Sequence, residues 1–243
     1  SKENNWFPTA EEIEKVILKD ENKNYLLFLN SPNNPSGQVC KNIEEIILKD
    51  KNKNYLLFLN SPNNPSGQIC ENLEEISEVV KKYNLVILSD EIYSELSFND
   101  NFKSISNYCP DKTIISNGLS KWCGAGGWRL GYFIIPQNLK IIKDSLNVLA
   151  SETFSAVSSP IQYAAIQAYE GDHSNYIKSS KDILKAVGQY VYEKLSSNKV
   201  LISQPHGGFY LMPEFISNKY DSSLEMCNMI LKETGVALIP GSD

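Results

Sequence analysis

Fourteen consecutive residues, YLLFLNSPNNPSGQ, stand at Tyr25–Gln38 and again, unchanged, at Tyr55–Gln68, thirty positions later. Over the wider windows Leu18–Ile46 and Leu48–Ile76 the two copies agree at 25 of 29 positions. Each copy joins a continuous apolar run to a proline- and glycine-rich turn, the pattern of a buried strand that stops abruptly. Two such units predict two strands of one sequence. They would compete for a single place in a sheet, or exchange between chains, unless neighbouring contacts differ. A first copy left unpaired would present an apolar edge.

The rest of the chain says what kind of sheet this is. Thr9 followed by Glu12 reads as a capping box opening a helix over Ala10–Leu18. Glu44–Leu48 begins a second helical stretch, and Glu74–Tyr83 a third, with Ile76, Val79 and Val80 on one face. Short apolar runs follow at Leu85–Leu88, Thr113–Ser116 and Leu130–Ile135, separated by long crossovers. Strands alternating with amphipathic helices predict an α/β fold with a mostly parallel sheet, whose sites lie at the carboxyl ends of the strands.

Beyond that, helices are expected over Ile161–Glu170 and Ser174–Leu195. Val200–Ile202, Phe209–Leu211 and Val236–Ile239 then read as a small sheet crossed by a helix over Ser222–Thr234. This change of texture divides the chain into a large domain, residues 1–175, which carries the duplicated segment 18–46/48–76, and a small carboxyl-terminal domain, residues 176–243.

Composition narrows the function classes. Across 243 residues the apolar fraction is 42% and the charged fraction 21%, values of a globular chain. The net charge is −6 and no Lys/Arg tract occurs, which argues against nucleic acid and acidic lipid as partners. Cys40, Cys70, Cys109, Cys123 and Cys227 show none of the close spacings of a zinc or redox site, so no metal is expected and a reducing, cytoplasmic setting is. The opening SKENNWFPTAEEIEKVI has no secretory-signal pattern, and no window reaches the roughly 18 apolar residues of a membrane span.

Candidate chemistry gathers at two places. Asp90 ends the run LVILSD, so a carboxylate stands at the end of an interior strand, either facing a cation or capping the helix that follows. Tyr93, three residues on, carries a phenol that either donates a hydrogen bond or simply packs. Lys121 lies in SNGLSKWCGAGGWRLGY, where glycines permit close backbone approach to a ligand and a desolvated lysine would act as an amine nucleophile. Arg129, eight residues later, offers a planar fork suited to phosphate. Taken singly, lysine and arginine in such a stretch are ordinary surface residues.

Three ordered segments, NNPSG, SDEIYSEL and SNGLSKWCGAGGWRLGY, together resemble the fold-type I enzymes dependent on pyridoxal phosphate, specifically the class I/II aminotransferases. The resemblance runs from WFPTAEEIE to ALIPGSD, and implies a three-layer α/β/α large domain with a small α+β carboxyl-terminal domain. It further implies that Lys121 holds pyridoxal 5′-phosphate as a Schiff base and shuttles the substrate proton. Asp90 would pair with the pyridinium nitrogen, Asn64 and Tyr93 would hydrogen-bond the phenolic oxygen, and Arg129 with Ser120 would bind the phosphate. Asn64 precedes Asp90 by 26 residues, a family spacing, whereas Asn34 lies a full period further back and is a spare.

The implied activity moves an amino group between an L-amino acid and a 2-oxo acid, usually in a homodimer. Three departures qualify it. Gly118 stands where the family has a serine or threonine contacting the phosphate. The amino-terminal part of family members, with a glycine-rich phosphate loop and a ring-stacking aromatic, is expected to be missing, and so is the carboxyl-terminal arginine that binds the substrate carboxylate. His206, in PHGG, reads as a turn residue. The alternatives are a truncated, catalytically silent relative serving as a binding or structural protein, and a pyridoxal-phosphate-dependent lyase reusing Lys121 and Asp90.

Overall fold

The structure, a computed structural model, describes residues 25–29, 55–100, 102–216 and 220–241. The expected helix over Ala10–Leu18, the helical start at Glu44–Leu48 and Asn34 lie outside the described residues.

A five-stranded sheet forms the large domain, in the order β1 (Tyr25–Leu29), β2 (Tyr55–Asn60), β3 (Val86–Asp90), β4 (Thr113–Gly118) and β5 (Gly131–Ile134). The two copies of the repeated run therefore do not exclude one another. They pair as parallel neighbours, Tyr25 beside Tyr55 through Leu29 beside Leu59. The same offset of thirty carries on into β3, where Leu56 stands beside Val86 and Asn60 beside Asp90. β3 and β4 are also parallel, whereas β5 returns antiparallel on β4.

Side chains alternate across β2 and β3, as the pleat requires. Tyr55, Leu57, Leu59 and Ile87 are buried on one face. Helix α1 (Leu73–Lys82) covers that face: Leu73, Ile76, Val79 and Val80 join the strand residues in one apolar cluster. The other face, with Leu56, Phe58, Val86, Leu88 and Asp90, is only half-buried among the described residues. Asp90 therefore emerges on the less covered side of the sheet, at the carboxyl end of its strand.

Three further helices follow the sheet, α2 (Lys140–Thr153), α3 (Ser159–Glu170) and α4 (Ser174–Leu195). Ala165 and Ala168 of α3 with Ile177 and Leu184 of α4 pack with Tyr93, Leu119 and Trp122 in a second cluster. The whole is a three-layer α/β/α large domain with a small α+β carboxyl-terminal domain. Helix α2 was not anticipated: KIIKDSLNVLASET has neither an N-terminal side-chain cap nor a buried residue, so its start carries no sequence signal. Among the described residues, no helix is long and apolar enough to cross a membrane.

The small sheet differs from expectation. It pairs β6 (Val200–Leu201) with β7 (Glu214–Phe215), and helix α5 (Ser223–Thr234) follows, closed by Gly235 in the left-handed conformation. Phe209–Leu211 is not a strand. Gly208, at φ +68°, turns the chain so that Phe209 and Tyr210 meet Tyr93 by their rings. Val236–Ile239 also forms no strand: Ile239 is 85% exposed, and no neighbouring strand among the described residues takes its backbone groups.

Candidate functional site

The site begins with the turn after β2. Its polar atoms are satisfied locally: Asn63 Oδ1 accepts from the Ser66 backbone at 3.1 Å and from Ser66 Oγ at 2.8 Å, and the Gly67 N–H donates to the Asn63 carbonyl at 2.9 Å. Gly67 has φ +69°, and a Cβ there would lie 2.8 Å from the Tyr210 carbonyl oxygen. Only glycine permits both. Through it the turn receives the small domain, because the N–H groups of His206 and Gly207 donate to the Gly67 carbonyl at 2.8 and 3.0 Å. Gln68 Nε2 adds a bond to the Gln204 carbonyl at 2.8 Å. His206 thus acts by its backbone, and its Nδ1 is buried without a hydrogen-bond partner among the described residues.

Asp90 is half-buried at the end of β3. Its Oδ1 accepts the Ile92 N–H at 3.4 Å and its Oδ2 accepts Asn60 Nδ2 at 3.4 Å, both long contacts that leave acceptor capacity unused. Burial raises its pKa above the ordinary carboxylate value, while the Ile92 N–H and the charge of Lys121 pull it back. A cation placed against it would complete that compensation.

Tyr93 is 3% exposed, and its hydroxyl meets that of Tyr210 at 2.9 Å. Burial, and then the Tyr210 hydrogen bond, push the Tyr93 phenol up, while a hydrogen bond with Asn64 opposes them. Asn64 itself is exposed, its backbone N–H held by Asn60 Oδ1 at 2.8 Å. An amide and a phenol are therefore presented together next to the Asp90 carboxylate.

Lys121 enters from the loop after β4. Its Nζ lies 5.6 Å from the centre of the Tyr93 ring and 5.6 Å from that of Phe209, and makes no hydrogen bond among the described residues. Ser120 precedes it, half-buried, with its carbonyl oxygen 3.6 Å from where a Cβ on Gly126 would stand. Arg129 lies on the outer side of the same loop, exposed and left-handed at φ +56°, its Nη1 donating to the Gly126 carbonyl at 2.8 Å. Asn64, Asp90, Tyr93 and Lys121 are thus brought into one neighbourhood. No contact joins Arg129 to them.

Gly118 has its own explanation. It pairs with Gly131 across the antiparallel β4–β5 ladder, and a Cβ there would lie 2.6 Å from the Leu130 carbonyl oxygen. A hydroxyl side chain is excluded by backbone, so an anion at this loop depends on Ser120, Arg129 and backbone N–H groups.

The second copy of the repeat, not the first, builds this site, and α1 gives the reason. Val79 is 6% exposed and Val80 0%, packed beneath β2 and β3. Thirty residues earlier the sequence has Lys49 and Asp50. A helix made from the first copy would bury two charges in that core. The strand and turn are identical between copies; the helix that follows breaks the tie.

Reading the sequence alone missed Asn60, Phe209 and Tyr210. Asn60 carried a weak signal, a polar residue closing an apolar run. The aromatic pair after Gly207 and Gly208 carried a stronger one, masked by its strand-like composition. Among the described residues, no group of three or more His, Cys, Asp or Glu side chains is placed to hold a metal ion.

Comparison with known proteins agrees in one direction. The family model described as aminotransferase class I and II matches residues 40–243. The chain is 35% identical over 240 residues to an aspartate aminotransferase of Thermotoga maritima, covering 98% of this chain and 52% of that protein. It is 36% identical over 164 residues to a probable N-acetyl-LL-diaminopimelate aminotransferase of Bacillus subtilis, covering 68% of this chain and 40% of that one. Among solved structures, an alanine aminotransferase from Pyrococcus furiosus superposes with a TM-score of 0.77 at 25% identity, over 96% of this chain and 66% of that chain. The aspartate aminotransferase of Thermotoga maritima superposes with a TM-score of 0.71 at 28% identity, over 91% and 62%. The chain spans about half the length of the curated relatives it matches.

Proposed function

We propose, from the premise that this chain belongs to the class I and II aminotransferase family, that it serves to move an amino group between an L-amino acid and a 2-oxo acid, with pyridoxal 5′-phosphate held at Lys121. The observation that carries the proposal is the convergence of Asn64, Asp90, Tyr93 and Lys121 at the carboxyl ends of β2, β3 and β4.

These groups fit the cofactor by their donor chemistry. The Asp90 carboxylate, raised by burial and incompletely hydrogen-bonded, suits a protonated ring nitrogen and would keep the proton there. Asn64 and Tyr93 would donate to the phenolic oxygen. Ser120 and Arg129, the latter with N–H donors beyond its bond to Gly126, would hold the phosphate. Bound pyridoxal phosphate supplies an electron sink for the carbon that loses its proton. Lys121 would attach the cofactor through Nζ and, when released, carry the proton from the substrate α-carbon to the cofactor C4′. The half-exposed ring of Phe209 would shield the amine on its side.

In this reading residues 1–175 hold the cofactor, and residues 176–243 bring Phe209 and Tyr210 to it. Two copies assemble, since α2 leaves Ile141 77% and Leu149 58% exposed and α4 leaves Ile183 63% and Val187 57% exposed. The four described cysteines are all free, which suits the cytoplasm.

The test is covalent. Pyridoxal 5′-phosphate is added, borohydride follows, and peptide mass spectrometry is expected to find a cofactor-sized mass on Lys121. An unmodified Lys121 would sink the assignment. Amine transfer is read separately: loss of the amino donor without an equal yield of 2-oxo acid would rule it out even with the cofactor attached.

A further inference from the structure

We infer that Asn60 is a positioning residue that holds Asp90 in its working orientation and couples it to the turn carrying Asn64. The inference rests on the pyridoxal phosphate reading of the site for its purpose, and on the structure alone for its geometry.

Asn60 ends β2, and the parallel register sets it beside Asp90. It is 5% exposed, so its amide must find partners within the protein. Nδ2 donates to the Asp90 carbonyl at 3.1 Å and reaches the Asp90 Oδ2 at 3.4 Å. Oδ1 accepts the Asn64 N–H at 2.8 Å and faces Asn63 Nδ2 at 3.4 Å. One side chain therefore grips both the residue proposed for the ring nitrogen and the backbone of the residue proposed for the phenolic oxygen.

The residue type matters as well as the place. Only an amide offers a donor and an acceptor on one flat group of this size. Aspartate would keep the acceptor for Asn64 but turn a second carboxylate toward Asp90. Leucine would strand the Asn64 N–H. A residue that merely capped the turn would need only the acceptor, whereas the donor points at Asp90. The charged groups beside Asp90 are Lys121 and Glu91, with Tyr93 near, and none of them replaces that donor.

The experiment compares wild type, Asn60→Ala and Asn60→Ser, each with and without Asp90→Asn. Two quantities are read: the dissociation constant for pyridoxal 5′-phosphate, and the urea midpoint between pH 4 and 8 without cofactor. Asn60→Ala is expected to weaken cofactor binding tenfold or more, with Asn60→Ser between it and wild type. It is also expected to steepen the loss of stability as pH rises, because an ionised Asp90 then lacks its amide donor. With Asn at position 90 that steepening is expected to vanish. A pH profile for Asn60→Ala parallel to wild type, or the same steepening in both backgrounds, would overturn the inference. Unchanged cofactor affinity in Asn60→Ala would overturn it too. Wild type that binds no cofactor yet shows the predicted profiles would fail the cofactor reading while upholding the positioning of Asp90. If Asn60→Ala does not fold, Asn60→Ser gives the same comparison.

Discussion

Replacing Val80 with aspartate, the residue that the first copy carries thirty positions earlier, tests directly what breaks the tie between two identical strands. Val80 is 0% exposed, against Leu57 and Ile87 of the sheet and Ile76 of its own helix. Val80→Ala removes two carbons at about 0.8 kcal/mol each, so about 1.6 kcal/mol before any cavity term, and roughly 2 to 2.5 kcal/mol with one. Val80→Asp loses a similar apolar contribution and adds a buried polar group without a partner, costing about 1–3 kcal/mol more. The sum, about 4 kcal/mol, is a large part of the 5–15 kcal/mol that holds a typical domain together.

Urea unfolding followed by tryptophan fluorescence measures both variants. The two differ in their response to pH as well. A carboxyl buried at position 80 would have its pKa raised, so the folded state binds the proton more tightly than the unfolded state does. Its penalty is then small below the ordinary aspartate value of about 3.9 and grows as pH rises toward the raised value. Val80→Ala has no such slope. A Val80→Asp protein within about 0.5 kcal/mol of Val80→Ala at pH 7 would refute the reasoning, because position 80 would then tolerate charge and the helix could not select between the copies.

Glu91 is buried, with Ser104 Oγ donating to its Oε1 at 2.6 Å and Ser89 Oγ at 2.9 Å, yet burial still raises its pKa. The folded state therefore holds the proton more tightly than the unfolded state, and stability falls as pH rises from the ordinary glutamate value through the raised one. Glu91→Gln is expected to flatten that decline in a series of thermal melts, and an unchanged slope would show that Glu91 does not contribute to it. Gly118→Ser, which restores the hydroxyl of the family pattern, is expected to lower stability by 2 kcal/mol or more, on the order of an overpacking cost, because its Cβ would meet the Leu130 carbonyl at 2.6 Å. Tighter cofactor binding in a Gly118→Ser protein of normal urea midpoint would contradict it.

The sheet was legible because its strands are short apolar runs closed by prolines, glycines or an aspartate, and the positions of Asp90 and Lys121 followed from those closures. The small sheet was not. Phe209, Tyr210 and Leu211 have the composition of a strand, but Gly208 at φ +68° turns the backbone and the two rings find Tyr93, at centroid distances of 5.6 Å each. Tertiary packing outweighed local propensity there. Asn60 was hidden for a different reason. Its role depends on the neighbouring strand being in register, and a thirty-residue offset that pairs Asn60 with Asp90 is a property of the sheet.

That offset also explains how a duplication can be accommodated. Each strand advances thirty residues on its neighbour, from Leu26 to Leu56 to Val86, so inserting one more unit of that length adds a strand at the edge without shifting any register inside. A duplication of twenty-nine or thirty-one residues would have offset the inserted strand by one position and set its apolar side chains on the wrong face. The insertion leaves the pairing of Asn60 with Asp90 intact, and with it the only described connection between the asparagine turn and the carboxylate at the end of β3 that runs through a single side chain.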